Sequence, residues 1–279
     1  MKPPAFQYVR PRTLNEALSA IHGDPEAKVL AGGQSLVPLM SLRLSQPTTV
    51  VDLAGLPELA TIEVSEQQVV IGSMVRHQQI LMHEELRQCL PLLPRIAQSI
   101  GHWAIRNRGT VGGSLCHADP AAEWPATMAA LDAQLILSSL RGTRSVAARD
   151  FFRDIFLTDL AADEILLRIE IPIPVSWTFF GFHEISRRHG DFALAGAIVA
   201  RADKELTGEI TWFAIQGKPF IRPLANVPQD AGARRLYWEN LLNPVEWTAD
   251  PEYRRALAIT AAERAYSGER RSSQYSSGG

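Results

Sequence analysis

Two glycine-rich stretches constrain this chain most strongly: AGGQSLV at residues 31–37 and GTVGGS at residues 109–114. Glycine pairs admit positive φ and let another group approach the backbone where a Cβ would stand. Successive N–H groups in such a bend can converge on one anion. In the first stretch Gly32, Gly33, Gln34, Ser35 and Leu36 offer consecutive N–H donors. Ser35 adds a hydroxyl, and Leu36 is placed to open the short helix PLMSLRL. In the second, Thr110 and Ser114 set hydroxyls beside Gly109, Gly112 and Gly113. Two such turns can grip one diphosphate. A GG pair by itself is an ordinary turn, and the chain has neither the glycine pattern that opens a Rossmann unit nor a P-loop. The residues alone therefore reach an unusual phosphate cradle and go no further.

Around these stretches the hydrophobic spacing is that of an α/β chain. Thr13 and Glu16 form a capping box ahead of LNEALSAI, which predicts a helix over about 14–22, followed by the strand KVLA. TTVVDLA and QVVIGS read as strands, and RHQQILMHEELRQC and LLPRIAQSI as helices. After the second glycine stretch come a helix in AAEWPATMAALDA and strands in AQLILSS and ADEILLRIEIPIP. Pro172 and Pro174 mark a boundary. Beyond it TFFGFHEIS, FALAGAIVAR and EITWFAIQG read as three strands, followed by a loop-rich section and the helix PEYRRALAITAAERAY. Strands first and helix last suggest a smaller α+β domain with an antiparallel sheet. The low-complexity end, residues 271–279, reads as a disordered tail.

Charge and cysteine content exclude several functions. The 279 residues carry 28 basic and 30 acidic side chains, well mixed, so no basic stripe announces nucleic acid or an anionic membrane. No apolar run approaches the roughly 20 residues of a membrane span, and the start lacks a signal-peptide core, so a cytoplasmic protein is expected. The two cysteines, Cys89 and Cys116, form no CxxC pair and cannot hold an iron–sulfur cluster within the chain. The HEELR run falls short of a zinc helix because Arg87 stands where a second histidine is needed. No metal site is expected.

VLAGGQSLVPLMSLRL, a strand ending in VDL, AIRNRGTVGGSLCHADPAAEWPA and FHEISRRHGDFALAGA occur in that order. Together they resemble the FAD-binding medium subunit of the molybdenum hydroxylases, the family of bacterial carbon monoxide dehydrogenase and of the flavin domain of xanthine dehydrogenase. The resemblance runs from about residue 4 to about 266. It implies an α+β protein: a two-subdomain α/β FAD-binding domain of the PCMH type over 1–174 (subdomains about 1–56 and 57–174), then a domain over 175–270 with a three-stranded antiparallel sheet and helices, like the C-terminal domain of the carbon monoxide dehydrogenase flavoprotein. Lys218 to Trp247 departs most from the family pattern.

By the same resemblance, Ala31, Gly32, Gly33, Gln34, Ser35, Leu36 and Val37 bind the FAD diphosphate through backbone N–H groups. Gly109, Thr110, Val111, Gly112, Gly113 and Ser114 hold it from the other side. Asp119 and Glu123 match an acidic segment whose carboxylates accept from ribose or ribityl hydroxyls, although Asp119 could equally cap the helix that Pro120 begins. Ile100 matches a position against the cofactor or is a core residue. Leu166 falls near the isoalloxazine position or is an ordinary strand residue. His183 stands where xanthine dehydrogenase-like members carry lysine, or is exposed on a strand. Arg187, Arg188 and Asp191 form a charged cluster at the flavin or a solvated ion-pair network.

No residue reads as a catalytic acid, base or nucleophile, because the cofactor carries the chemistry. In the family a large subunit with the molybdopterin cofactor acts on the substrate, a small subunit with 2Fe-2S clusters relays electrons, and FAD in this chain delivers them to an external acceptor. A heterotrimer, or a dimer of heterotrimers, is implied. The substrate, belonging to the large subunit, is not legible here. The alternatives are a stand-alone flavin oxidoreductase of related fold and a scaffold subunit that has lost its flavin.

Overall fold

Thr13 begins the first helix as its sequence context requires: its hydroxyl accepts the Glu16 N–H at 3.2 Å, and the Glu16 carboxylate accepts the Arg12 N–H at 2.7 Å. The computed structural model describes residues 2–173, 179–202, 207–247 and 250–268. Strand β1 (Gln7–Val9), helix α1 (Leu14–His22), β2 (Lys28–Leu30), α2 (Leu36–Ser41) and β3 (Thr49–Asp52) come first. The strands form a parallel sheet in the order β1–β3–β2. Ala17, Leu18 and Ile21, on one face of α1, cluster with Val51 and Leu53. Burying Leu18 and Ile21 contributes about 1.5–3 kcal/mol each.

Strands β4 (Ile62–Val64) and β5 (Gln68–Gly72) lead into a block of helices: α3 (His77–Met82), α4 (Glu84–Cys89), α5 (Leu92–Ser99), α6 (Trp103–Arg106), α7 (Val111–His117) and α8 (Glu123–Ala130). Then follow β6 (Gln134–Ser139), β7 (Gly142–Ala147), α9 (Ala148–Phe151), the short hairpin of β8 (Phe152–Asp154) and β9 (Leu157–Thr158), and β10 (Ile165–Pro172). Five of these strands pair in the order β4–β5–β10–β6–β7, all antiparallel. Among the described residues parallel pairing is confined to the first sheet. Strands β5 and β6 lie on either side of β10, each antiparallel to it, and so run parallel to each other; the block of helices between them is a crossover that leaves room for β10. The helix expected over RHQQILMHEELRQC is two helices, broken at His83, whose Nδ1 accepts the Leu86 N–H at 3.4 Å and caps α4.

Strands β11 (Phe179–Ser186), β12 (Ala193–Arg201), β13 (Gly208–Phe213) and β14 (Phe220–Leu224) form an antiparallel sheet in that order, followed by α10 (Ala231–Leu241) and α11 (Pro251–Ser267). The sheet has four strands rather than the expected three. Phe220–Leu224 reads as loop because Pro223 lies inside it, but an edge strand tolerates the missing N–H. One face of this sheet packs on α11 through Ala195, Ala197, Val199 and Trp212. The other packs toward α8 through Phe182, Ile198 and Phe213. All eight residues of α8 are buried, as befits a helix enclosed on every side. Pro172 ends β10, whereas Pro174 and the tail at 271–279 lie outside the described residues.

Candidate functional site

The first glycine stretch is the connection from β2 to α2. Gly33 takes φ +73°, the left-handed conformation that makes a concave run of N–H groups. The five successive amides from Gly32 to Leu36 find no acceptor among the described residues. Ser35 stands at the N-cap of α2 without a side-chain capping bond, which leaves its hydroxyl uncommitted. A run of donors with no internal partner suits an anion. Ala31 is half-buried behind this run, and Val37 is exposed in the first turn of α2.

The second stretch differs from the expectation. It is the start of α7, with Thr110 as N-cap, and five of its six amides are already paired, that of Thr110 being the exception. Gly109 N–H donates to Ile105 at 2.7 Å, Val111 to Val75 at 3.0 Å, Gly112 to Ser73 at 2.9 Å and Ser114 to Thr110 at 3.1 Å, all to carbonyl oxygens. Gly113 N–H donates to the Thr110 hydroxyl at 3.0 Å. Its glycines serve close packing instead. A Cβ on Gly112 would lie 2.6 Å from the Ser73 carbonyl oxygen, and one on Gly109 would lie 2.7 Å from His77 Nε2.

The two stretches face each other. A Cβ on Gly32 would stand 2.2 Å from the Arg108 carbonyl oxygen and 2.8 Å from Gly109 Cα, and one on Gly113 would touch the Ala31 methyl at 3.4 Å. The open amides of the first therefore lie against the packed wall of the second. A third segment packs just ahead of the second stretch. Arg106 donates to the carbonyls of Ile100 at 3.1 Å and Gly101 at 2.8 Å, and a Cβ on Gly190, between β11 and β12, would come within 3.0 Å of Gly101. Ile100 is half-buried at this junction. Two bulky aromatics, Trp103 and Phe192, each 68% exposed, stand two residues beyond the contact on either side. Neither was picked out from the sequence, where an aromatic just after a glycine was the available signal.

The remaining expected residues divide. Asp119 Oδ1 accepts the Ala121 N–H at 2.9 Å and closes a turn, since α8 begins at Glu123 and not at Pro120. Glu123 is buried, and burial first, then the charges of Glu184 and Asp119, raise its pKa well above the carboxylate range. Leu166 is buried opposite Leu137 at a bulge in β10, so its side chain is a core residue; the next carbonyl, Leu167, accepts from Ser73 at 2.9 Å. His183 is buried on β11. Strand alternation sends it with Gly181 to the α11 face, where its Nε2 lies 3.2 Å from Arg264 Nη1. Arg187, Arg188 and Asp191 are exposed, and no salt bridge joins them to any described residue. Among the described residues no cluster of His, Cys, Asp or Glu could hold a metal, and no helix is long and apolar enough to cross a membrane.

Residues 4–174 match the family model described as the FAD binding domain in molybdopterin dehydrogenase. The chain is 36% identical over 290 residues to caffeine dehydrogenase subunit beta of Pseudomonas sp. (strain CBB1), covering 97% of each chain. It is 40% identical over 210 residues to the nicotine 6-hydroxylase medium subunit of Paenarthrobacter nicotinovorans, covering 74% of this chain and 73% of that one. Among solved structures it resembles quinoline 2-oxidoreductase from Pseudomonas putida 86 with a TM-score of 0.88 and 34% identity, over 96% of this chain and 99% of that one. A nest of open amides facing a packed glycine helix start, inside a matched flavin domain, leaves one conclusion: the chain belongs to the family of FAD-binding medium subunits of molybdenum hydroxylases.

Proposed function

We propose that this chain is the flavin-bearing electron-transfer subunit of a cytoplasmic, heterotrimeric molybdenum hydroxylase, standing between a 2Fe-2S partner and an external acceptor. Bound FAD supplies the redox chemistry. The chain's own work is to hold the diphosphate and shield the ring. The open amides of Gly32 to Leu36 receive phosphate oxygens, and the uncommitted Ser35 hydroxyl adds a donor. The second stretch, with five of its six amides already paired, forms the opposing wall and contributes shape more than donors, the open Thr110 amide apart. The hydroxyls of Thr110 and Ser114 lie on that wall. Residues 1–174 act as the FAD-binding domain and 175–270 as a second domain that closes the site through Gly190.

The observation that carries this reading is the run of five unpartnered amides set against Arg108 and Gly109. Native purification tests this reading. One FAD per chain is expected, together with a larger molybdopterin-containing chain and a small iron–sulfur chain. A solitary 30.8 kDa chain that oxidises a substrate unaided would overturn the proposal.

A further inference from the structure

One buried imidazole underlies the second glycine stretch. His77 opens α3 and is only 5% exposed. Its Nδ1 accepts the indole N–H of Trp124, from α8, at 3.0 Å, and its backbone N–H donates to the Gly109 carbonyl at 3.1 Å. A ring that accepts at Nδ1 carries its hydrogen on Nε2 when neutral. That edge meets Gly109, where a Cβ would lie 2.7 Å from Nε2 and 2.8 Å from Cδ2. Gly109 Cα is in turn one of the atoms on which Gly32 rests. The contacts run in one line, from Trp124 through His77 and Gly109 to Gly32 and its open amides. Burial, and then the nearby charge of Arg106, push the His77 pKa down to about 3, so the ring is neutral throughout the physiological range.

We propose that His77 is a positioning residue for the cofactor: its ring, fixed by the Trp124 indole, holds Gly109 against Gly32 and so sets the width of the gap between the two glycine stretches. This rests on that gap being the FAD diphosphate site, as proposed above. A histidine that merely fills the core would couple with Gly109 in stability and leave FAD affinity unchanged. Positions that share a contact are coupled non-additively.

The test is FAD titration of the full-length chain stripped of flavin, followed by flavin fluorescence, in His77→Asn, Gly109→Ala and the double variant. Asparagine keeps an oxygen to accept from Trp124 but vacates the space of Nε2 and Cδ2. Alanine at 109 collides with the wild-type ring and, in the His77→Asn background, fills the vacated space. Each single variant is expected to weaken FAD binding by about tenfold or more, and the double variant to return to within about threefold of wild type. Losses that simply add, or wild-type affinity in both singles, overturn the proposal. If thermal melting shows His77→Asn to be unfolded, Trp124→Phe decides: it keeps the ring and frees it, so unchanged affinity there also overturns the proposal. A wild-type chain that binds no FAD would remove the diphosphate site itself, a result distinct from all of these.

Discussion

Replacing Gly32 with alanine places a Cβ 2.2 Å from the carbonyl oxygen of Arg108 and 2.8 Å from both its carbonyl carbon and Gly109 Cα. All three are backbone atoms, so no side chain can swing aside. Ordinary contact begins at 3.4 Å against the 2.2 Å found here, so the two glycine stretches must part by about 1.2 Å. A phosphate hydrogen bond of about 2.9 Å lengthened by that much is no longer a bond. Losing one bond to a charged group costs about 1.5–3 kcal/mol, which is roughly tenfold to a hundredfold in Kd. The assay is FAD titration by fluorescence alongside thermal melting of the flavin-free chain. Gly23→Ala is the control, because its Cβ would come no nearer than 3.9 Å to the Ser19 carbonyl oxygen. Gly32→Ala should lose affinity as stated while Gly23→Ala retains it. An affinity for Gly32→Ala within about twofold of wild type would mean that the facing stretches do not define the diphosphate gap.

Gly112→Ala drives a Cβ to 2.5 Å from Ser73 Cβ and 2.6 Å from its carbonyl oxygen; overpacking of this kind costs about 1–3 kcal/mol, and calorimetry should show Tm lowered by about 2–4 °C per kcal/mol, with an unchanged Tm counting against the packed helix start. The His77 ring stays neutral in the folded chain down to about pH 3, whereas an unfolded histidine protonates near 6.5. Its contribution to stability is therefore present above pH 6.5 and lost as pH falls toward 3, by about 1.4 kcal/mol per pH unit. His77→Asn should flatten that acid limb in chemical denaturation, and an unaltered slope would show that the ring titrates normally. Arg144 donates to the Glu164 carboxylate at 2.6 and 2.7 Å and to Asp159 at 2.8 Å, and holds Glu164 below its usual range. Arg144→Met should cost about 1–2 kcal/mol at pH 7, discounted for the solvent exposure of the arginine. The difference from wild type should shrink as pH drops below the ordinary glutamate value of 4.5, since a carboxylate whose pKa is depressed loses its contribution on protonation.

Much of the architecture is legible before folding. Local signals placed α1 behind Thr13, β2 ahead of the first glycine stretch, the β-branched runs that became β3 and β5, and the apolar run that became β6, because capping, periodicity and turn chemistry act over a few residues. What escapes is whatever depends on a distant partner. Nothing in RHQQIL says that His77 accepts from an indole in another helix. Nothing in FIRPL says that a neighbouring strand will pair with it as an edge. His183 and Glu184 are adjacent in sequence, yet they leave β11 on opposite faces, and which face meets the flavin domain depends on how the sheet packs between α8 and α11.

From the sequence alone come the two glycine stretches, their order and the absence of cysteine clusters, and the resemblance carried by the longer motifs around them supplies the family and its cofactor. Backbone freedom at glycine is an intrinsic property of the residue, so it is readable without a fold. The division of labour between the stretches belongs to the tertiary structure. Gly109, Gly112 and Gly113 look as able to cradle a phosphate as Gly32 and Gly33, until the carbonyls of Ser73 and Val75 arrive from a distant strand end and the amides of Val111 and Gly112 donate to them. A donor already bonded cannot also bind an anion at full strength, and only the folded chain decides which donors are left over.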